Sequence, residues 1–211
     1  MRAEVGASNT GLRAYRAGDL ARLREICVLT GAAGWDATGR WSTDELLPDL
    51  FLEPYVTASP EWAWVVDEGD GPIGYLVAVP RTDRFVRWWR AKWTPWFAER
   101  YPEPDEPYSP EEELVRRGYH PEVLEIPELE EYPAHFHIDL LPGHQGRGYG
   151  RGLIENLLIP ALAAAGIPGV HLTMDPANSA ARAFYEAVGF TPLPSSTADA
   201  PALGRWIPPR G

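Results

Sequence analysis

Cysteine is almost absent from this chain: Cys27 is the only one among 211 residues. A single thiol excludes an internal disulfide and any cysteine-rich zinc cluster. Cys27 lies within the apolar helical pattern "ARLREICVLTG". We therefore predict that it is a small core side chain.

Basic residues are also few, with 19 Lys and Arg against 30 Asp and Glu and a net charge of −11. Neutralising phosphates requires clustered Lys and Arg, so we expect no nucleic-acid partner and no membrane partner. The acidic balance is compatible with a cationic acceptor such as an amine.

Long apolar runs are missing as well. No run approaches the roughly 18 residues that a membrane span needs, and residues 1–16 lack the apolar core of a signal peptide. We therefore expect a cytoplasmic protein. What the chain does have is 45% apolar residues, with nine Trp and nine Tyr. This is enough for the core of a single globular domain over residues 1–211.

One segment, residues 81–132, differs in composition from its surroundings. It begins aromatic and basic and continues acidic and rich in proline, and we interpret it as an insertion between two strands. Its Trp88, Trp89, Trp93 and Trp96 either wall an acceptor cleft or anchor the insertion. Anchoring is favoured, because clustered indole rings are large apolar surfaces that bury readily. The acidic part is expected to be a solvated surface.

The second half of the chain alternates strands and helices in the order β-α-β-α-β. Its first strand, residues 135–141, shows period-two alternation, and an amphipathic helix follows it. Successive side chains of a strand point to opposite faces of the sheet. The strand should therefore direct Phe136, Ile138 and Leu140 to one face, and His135, His137 and Asp139 to the other.

The stretch "HQGRGYGRGL", residues 144–153, joins that strand to that helix. The first N–H groups of a helix have no partner within it, and the helix dipole leaves a partial positive charge there. Glycines allow the backbone to approach an anion closely. We therefore predict a pyrophosphate-binding turn, in which side-chain donors supplement the amides. Its residues are Gln145, Gly146, Arg147, Gly148, Gly150 and Arg151.

Two familiar nucleotide motifs do not match this turn. The glycines only nearly meet the pattern G-x-G-x-x-G, and the region about 20 residues further on, "AAGIPGVHL", has no acid that could bind a ribose. The Gly-Lys-Ser/Thr ending of a P-loop is absent too. A nicotinamide-dinucleotide domain is therefore disfavoured.

Two other motifs occur in the right order and separation. Residues 145–150 read Gln-x-x-Gly-x-Gly, and residues 178–190 read Asn-x-x-Ala-x-x-Phe-Tyr-x-x-x-Gly-Phe. Together they resemble the acetyl-CoA signature of the GCN5-related N-acetyltransferases, the GNAT superfamily, and the match covers residues 135–190. Within that superfamily, "YPAHFHIDLLP" and the tail "LGRWI" look most similar to the acetyltransferase-like C-terminal domain of O-GlcNAcase and its free-standing bacterial relatives.

The resemblance implies an α/β fold with a central mixed β-sheet flanked by helices. Two splayed strands would bind acetyl-CoA, and the insertion would precede the fourth core strand. Backbone groups of the first of these strands would bind the pantetheine arm, Asn178 would also contact it, and Tyr185 would protonate the departing thiolate. No metal is implied. The implied acetyl-CoA site comprises Leu140, Leu141, Gln145, Gly146, Arg147, Gly148, Tyr149, Gly150, Arg151, Asn178, Phe184 and Tyr185.

The base that removes a proton from the attacking amine is not fixed by the resemblance. His135, His137 and Asp139 share the polar face of the strand, and Asp175 follows the next strand. We favour Asp139 and His137. A metal site made from the polar face is disfavoured, because ligands at alternate strand positions need a further partner.

Two functions follow from this reading. The first is an acetyl-CoA-dependent N-acetyltransferase in which a primary amine attacks directly within a ternary complex. The amine could belong to a small molecule, a peptide or a protein lysine. The second is an acetyl-CoA-binding domain with little or no transferase activity that acts as a sensor or interaction module. A homodimer is also open, since homodimers are common in the superfamily.

Overall fold

The fold is built on a seven-stranded sheet in a computed structural model that describes residues 11–106 and 108–208. The outermost residues of the predicted domain, 1–10 and 209–211, lie outside this described part. The strand order is β1-β2-β3-β4-β5-β7-β6. The strands are β1 Leu12–Ala14, β2 Ala63–Asp67, β3 Pro72–Val79, β4 Ala134–Leu140, β5 Gly169–Thr173, β6 Thr191–Pro192 and β7 Ala202–Trp206.

The sheet is mixed, because its one parallel pair, β4 with β5, lies between antiparallel neighbours. These two strands pair at only two positions, Ala134 with Val170 and His135 with His171. From residue 136 onwards β4 remains paired with β3 but not with β5. The α/β fold with a mixed sheet and two splayed strands is therefore confirmed.

Helices cover both faces of the sheet and form two separate cores. On the first face lie α1 Leu20–Thr30, α2 Leu46–Phe51, α3 Glu53–Ala58, α4 Thr82–Trp88, the π-helical segment Trp89–Trp93, α5 Thr94–Ala98 and α6 Pro110–Tyr119. On the second lie α7 Tyr149–Gly152, the π-helical segment Leu153–Leu158, α8 Ile159–Ala164 and α9 Ser179–Ala187. Short 3-10 turns occur at Ala17–Asp19, Pro60–Trp62 and Pro121–Leu124.

The alternation predicted for β4 is confirmed. Phe136, Ile138 and Leu140 pack into the core formed with α7, α8 and α9. On the other face, the hydroxyl of Tyr55 in α3 hydrogen-bonds both His135 and His137. A strand covered on both faces buries side chains of both sets, and in the polar set His135 is buried while His137 and Asp139 are half-buried.

The insertion lies between β3 and β4, as predicted, and its tryptophans anchor it. Trp89 and Trp93 are 3% and 6% exposed. Their indole N–H groups donate to the carbonyls of Gly118 and Asp49, both at 2.9 Å. An indole that is buried and whose N–H is hydrogen-bonded holds its segment firmly in place. The inner side of the insertion is therefore part of the first core.

The helix predicted behind the glycine turn is one continuous helical run over residues 149–164. Its middle segment, Leu153–Leu158, is π-helical and directly precedes the turn that contains Pro160. Proline has no N–H for the helical ladder, and a π-helical stretch is a common way to accommodate such an interruption. The first turn, at Tyr149–Gly152, stays α-helical.

Candidate functional site

The gap between β4 and β5 exposes backbone groups of β4. The N–H of Leu141 donates to the carbonyl of Ile73 at 3.0 Å, so this residue bonds towards β3. In an antiparallel pair such bonds alternate along the strand. Asp139 therefore also bonds towards β3, whereas Ile138 and Leu140 direct their N–H and C=O groups towards the gap.

The direction of these backbone groups differs from the prediction at Leu141 and adds Ile138 to the residues that face the gap. The backbone of Leu141 does not face the gap: its N–H is bonded to β3 and its carbonyl accepts from the N–H of His144 at 3.0 Å. Ile138 takes that place. Its role could not be predicted from the sequence, because the direction of a backbone group depends on pairing with β3. Leu140 does face the gap, where its carbonyl accepts from Nε2 of Gln145 at 3.0 Å.

The glycine turn presents its backbone to solvent at the end of this gap. Gly146 and Gly148 have φ of +72° and +88°, which L side chains rarely adopt. A Cβ at either position would meet nothing within 4 Å. Gly148 caps the helical run that begins at Tyr149, so the unpartnered amides of the first turn lie beside open space.

Gly150 has a different reason to be glycine. It is buried, and a Cβ there would lie 2.9 Å from Cζ of Phe184. The predicted site residue Phe184 therefore packs directly against the first turn of the helical run. The two sequence motifs meet through this contact, which fixes the second half of α9 relative to the glycine turn.

A carboxylate lies among the polar side chains of the turn. Glu68, from the turn between β2 and β3, is 3.7 Å from the guanidinium of Arg147 and 3.4 Å from Nδ1 of His144. It also accepts a hydrogen bond from the hydroxyl of Tyr149. The guanidinium of Arg147, the imidazole of His144 and the phenol of Tyr149 therefore all lie close to the carboxylate of Glu68. The sequence did not point to Glu68, because it lies 76 residues before His144 in the chain.

The second arginine of the turn faces the helices. Arg151 bonds Glu155 at 2.9 Å and the carbonyl of Ala187, at the end of α9, at 3.1 Å. Both groups are at the exposed surface, where such bonds are readily exchanged. Arg151 therefore links the helical run to α9 and remains near the amides of the turn.

The start of α9 carries Asn178, whose Oδ1 accepts from the N–H of Ala181 at 3.0 Å. This is an N-cap, one of the two roles considered for this side chain. Later in α9, Tyr185 packs against Phe136 and Phe190. Burial raises the pKa of the Tyr185 phenol, and the charge of Asp139 adds to the rise. The hydroxyl therefore keeps its proton at neutral pH.

Asp139 lies on the face of β4 opposite Phe136, and it is half-buried. Its Oδ2 accepts a hydrogen bond of 2.5 Å from the hydroxyl of Tyr75. Burial raises the pKa of this carboxyl, while the Tyr75 hydroxyl acts in the opposite direction. A carboxyl with a raised pKa is better suited to accept a proton than an exposed one.

The other three base candidates have different surroundings. His135 is 4% exposed, with both ring nitrogens bonded, and burial holds its pKa well below the ordinary value. His137 is half-buried, and burial together with the charge of Arg117 lowers its pKa to about 4. Asp175 lies in a turn, where its Oδ1 accepts from the N–H of Ala177 at 2.8 Å. Of the three, His137 lies beside the gap with a side chain that solvent reaches.

Within residues 11–106 and 108–208 there is no cluster of three or more His, Cys, Asp or Glu side chains that could hold a metal ion. In that same part of the chain no helix is long and apolar enough to cross a membrane. Cys27 is buried, as predicted, and burial raises the pKa of its thiol.

Comparison with known proteins assigns this architecture to a family. Residues 123–192 match the family model described as acetyltransferase (GNAT) domain. The crystal structure of SsHAT is similar over 93% of this chain and 98% of that chain, with a TM-score of 0.86 and 44% sequence identity. A phosphinothricin acetyltransferase from Sinorhizobium meliloti, solved with acetyl-CoA, shares the fold at a TM-score of 0.53 and 19% identity, over 93% of this chain and 87% of that one.

A curated relative supports the same assignment over a shorter stretch. Mycothiol acetyltransferase of Beutenbergia cavernae is 48% identical over 52 residues, which are 25% of this chain. The match spans only 17% of the length of that relative. The fold and the motif-bearing strands and helices thus define an acetyltransferase domain. The chain belongs to the GNAT superfamily of acetyltransferases. The narrower resemblance to the O-GlcNAcase domain stays a prediction.

Proposed function

We propose that this protein is an acetyl-CoA-dependent N-acetyltransferase that transfers the acetyl group to a primary amine. One observation carries the proposal: β4 and β5 separate after His135, and the gap ends at a turn in which Gly146 and Gly148 are exposed and have open space beside them. The gap offers backbone groups to an extended arm, and the turn offers donors to a pyrophosphate.

The residues present fit this co-substrate. The backbone groups of Ile138 and Leu140 would bind the pantetheine arm, with Gln145 exchanging its bond to the Leu140 carbonyl. Asn178 would contribute the amide nitrogen that its capping role leaves over. The amides of the turn and the two arginines would bind the pyrophosphate, and Tyr149 and Phe184 would border it. This set is Gly146, Arg147, Gly148, Tyr149, Gly150, Arg151 and Phe184.

The transfer removes two protons from the nitrogen of the acceptor ammonium and supplies one to the leaving thiolate. Asp139 takes a proton from the ammonium of the acceptor, and the nitrogen lone pair attacks the thioester carbonyl. A backbone N–H that faces the gap, such as that of Ile138, stabilises the negative charge on the carbonyl oxygen. When the C–S bond breaks, the phenol of Tyr185 gives its proton to the departing thiolate. The nitrogen, which carries two protons after the attack, loses one of them to water, so that the product is a neutral amide.

Direct attack in a ternary complex is supported by the position of the only thiol. Cys27 is 3% exposed, and burial raises its pKa. A thiol must ionise to act as a nucleophile, so Cys27 is unsuited to carry an acetyl group between the two substrates. Tyr185, the proposed acid, and Asp139, the proposed base, lie on opposite faces of β4, and these faces meet at the gap.

The organisation of the chain completes the proposal. We treat residues 1–211 as one acetyltransferase domain in which 135–190 is the acetyl-CoA-binding core and 81–132 covers the acceptor side. The acceptor belongs to a small molecule, a peptide or a protein. Such a domain acts without a metal, because Asp139 and Tyr185 supply the proton transfers.

Calorimetric titration with acetyl-CoA tests the proposal, with CoA and NADH as controls. Binding at one site, followed by release of CoA thiol in the presence of a panel of primary amines, is the expected result. Binding without CoA release for any amine would favour the sensor or interaction module. The absence of binding by the folded protein would exclude both functions.

A further inference from the structure

A chain of hydrogen bonds runs through the first core and ends at His137. The hydroxyl of Thr82 lies 2.8 Å from the carbonyl oxygen of Pro133 and 2.7 Å from Nδ1 of His135. The hydroxyl of Tyr55 lies 2.8 Å from Nε2 of His135 and 2.9 Å from Nε2 of His137. Every distance is that of a full hydrogen bond, so in each pair one atom must donate a proton and the other must accept it.

The carbonyl of Pro133 sets the direction of the chain. A carbonyl oxygen only accepts hydrogen bonds, so the one proton of the Thr82 hydroxyl points towards it. The Thr82 oxygen then accepts from Nδ1–H of His135. Because burial keeps His135 neutral, its Nε2 carries a lone pair rather than a second proton.

The direction is passed on to His137. The bare Nε2 of His135 accepts the proton of the Tyr55 hydroxyl. The Tyr55 oxygen can then only accept from the other imidazole, so the proton of His137 is on Nε2. This tautomer is assigned from the complete network of partners. It leaves a lone pair on Nδ1 of His137.

The ring that carries this lone pair is partly exposed and lines a pocket. His137 is half-buried, and it is two residues beyond His135, the last residue of β4 that pairs with β5. Its ring lines a small pocket with Phe51, Trp89 and Arg117. Within the described part of the chain, Nδ1 of His137 has no hydrogen-bond partner. The pocket wall is mainly apolar, and its polar side chains include Arg117, Tyr55 and His137.

We propose that Thr82, His135 and Tyr55 are positioning residues that lock His137 in its Nε2–H tautomer, so that Nδ1 accepts a hydrogen bond from the acceptor nitrogen. The role of this bond rests on the function proposed above. His137 then holds the acceptor while Asp139 takes the proton. An amine can give one proton to Asp139 and keep another for His137. A hydroxyl has one proton and cannot do both, so the lock selects nitrogen acceptors over oxygen acceptors.

The tautomer can be measured without any activity. In protein labelled with ¹⁵N-histidine, two-bond ¹H–¹⁵N spectra should show a protonated Nε2 and a bare Nδ1 for His137, assigned by the signals that H137N removes. Thr82→Val removes the anchor, and the chain should reverse so that His137 becomes protonated on Nδ1. Thr82→Ser, which keeps the hydroxyl, should retain the original tautomer. A wild-type His137 protonated on Nδ1, or an unchanged tautomer in T82V, overturns the lock.

Kinetics then separate positioning from mere stabilisation. The amide oxygen of His137→Asn replaces Nδ1 as an acceptor and has no tautomer, whereas His137→Gln replaces only the Nε2–H donor. We expect H137N to retain more kcat/KM for the amine than H137Q. Tyr55→Phe should lower kcat/KM about tenfold in wild type and leave H137N unchanged. Equal losses in both backgrounds refute the positioning role.

The two proposals fail in different ways. If His137 shows the expected tautomer but no amine releases CoA, the lock stands and the transferase function fails. If CoA is released while His137 carries its proton on Nδ1, the function stands and the lock fails.

Discussion

The hydroxyl of Tyr75 donates a hydrogen bond of 2.5 Å to Oδ2 of Asp139, from the strand next to β4. Burial raises the pKa of Asp139, and this bond limits the rise because it stabilises the charged form. The bond therefore sets the pH range in which Asp139 is ionised. Under the proposed function, this bond would link a core tyrosine to the proton transfer at Asp139.

Tyr75→Phe should move the acid limb of the kcat/KM profile to higher pH. Loss of the hydrogen bond raises the pKa of Asp139 further, so the carboxyl becomes ionised only at a higher pH. The measurement is the pH dependence of CoA release at subsaturating amine. Asp139→Asn is the companion variant and should lower kcat about 100-fold or more at pH values above that limb. An unmoved acid limb in Y75F would show that another group titrates.

Tyr185→Phe should lower kcat about 100-fold and leave the dissociation constant for acetyl-CoA within about twofold. The phenol ring packs against Phe136 and Phe190, and phenylalanine preserves that packing. Only the proton given to the thiolate is lost. Stopped assays of CoA release and calorimetry measure the two quantities separately. Unchanged kcat would remove Tyr185 from the proton transfer.

Gly148→Ala should weaken acetyl-CoA binding about tenfold. Its φ of +88° makes a side chain unfavourable, and a Cβ would enter the open space beside the first turn. Gly39→Ala is a control of similar strain, with φ of +67° and open space around it, and it should leave affinity unchanged. Equal effects on affinity would mean that strain, and not the turn, is responsible.

Gly150→Ala should instead lower stability. Its Cβ would lie 2.9 Å from the ring of Phe184, and overpacking of this kind costs about 1–3 kcal/mol. Thermal unfolding of this variant beside the wild-type protein measures the difference. A Tm equal to that of the wild type would show that Phe184 moves aside freely.

Stability should fall as the pH falls below about 6.5. Burial lowers the pKa of both His135 and His137, the latter to about 4, so the unfolded chain binds protons more readily. The contribution of His137 is complete above pH 6.5 and is lost progressively down to pH 4. At pH 5 the free energy of unfolding is lower by about 1–2 kcal/mol because of His137. Urea unfolding at pH 7.5 and pH 5 measures it, and H137N should show a smaller difference between the two.

The sequence alone predicted the features that depend on neighbours along the chain. Period-two alternation separated Phe136 from His135 in β4, and the glycines marked a turn at the start of a helix. The fold followed from these patterns together with the two motifs. Each of these features depends on geometry that repeats within a few residues, so the composition and spacing of the sequence are enough to predict it.

What the sequence could not give depends on partners that are far apart in the chain. The backbone direction of Ile138 and Leu141 follows from pairing with β3, and the tautomer of His137 follows from Tyr55, 82 residues away. His135 and His137 share one face of the predicted strand, and the sequence favours His137 as a base but does not show the surroundings of either ring. Burial and two bonded nitrogens make the first a structural residue, and solvent access leaves the second for an acceptor.

Glu68→Gln should strengthen acetyl-CoA binding about two- to fivefold, and more strongly at low ionic strength. The carboxylate lies near Arg147 and His144 and accepts a bond from Tyr149, so it competes with a pyrophosphate for the same donors. Asp70→Asn removes a charge from the same β2–β3 turn and is the matched control. Equal gains in both variants would indicate a general charge effect. Weaker binding in E68Q would mean that Glu68 orders the turn, since its contacts would then favour the bound form.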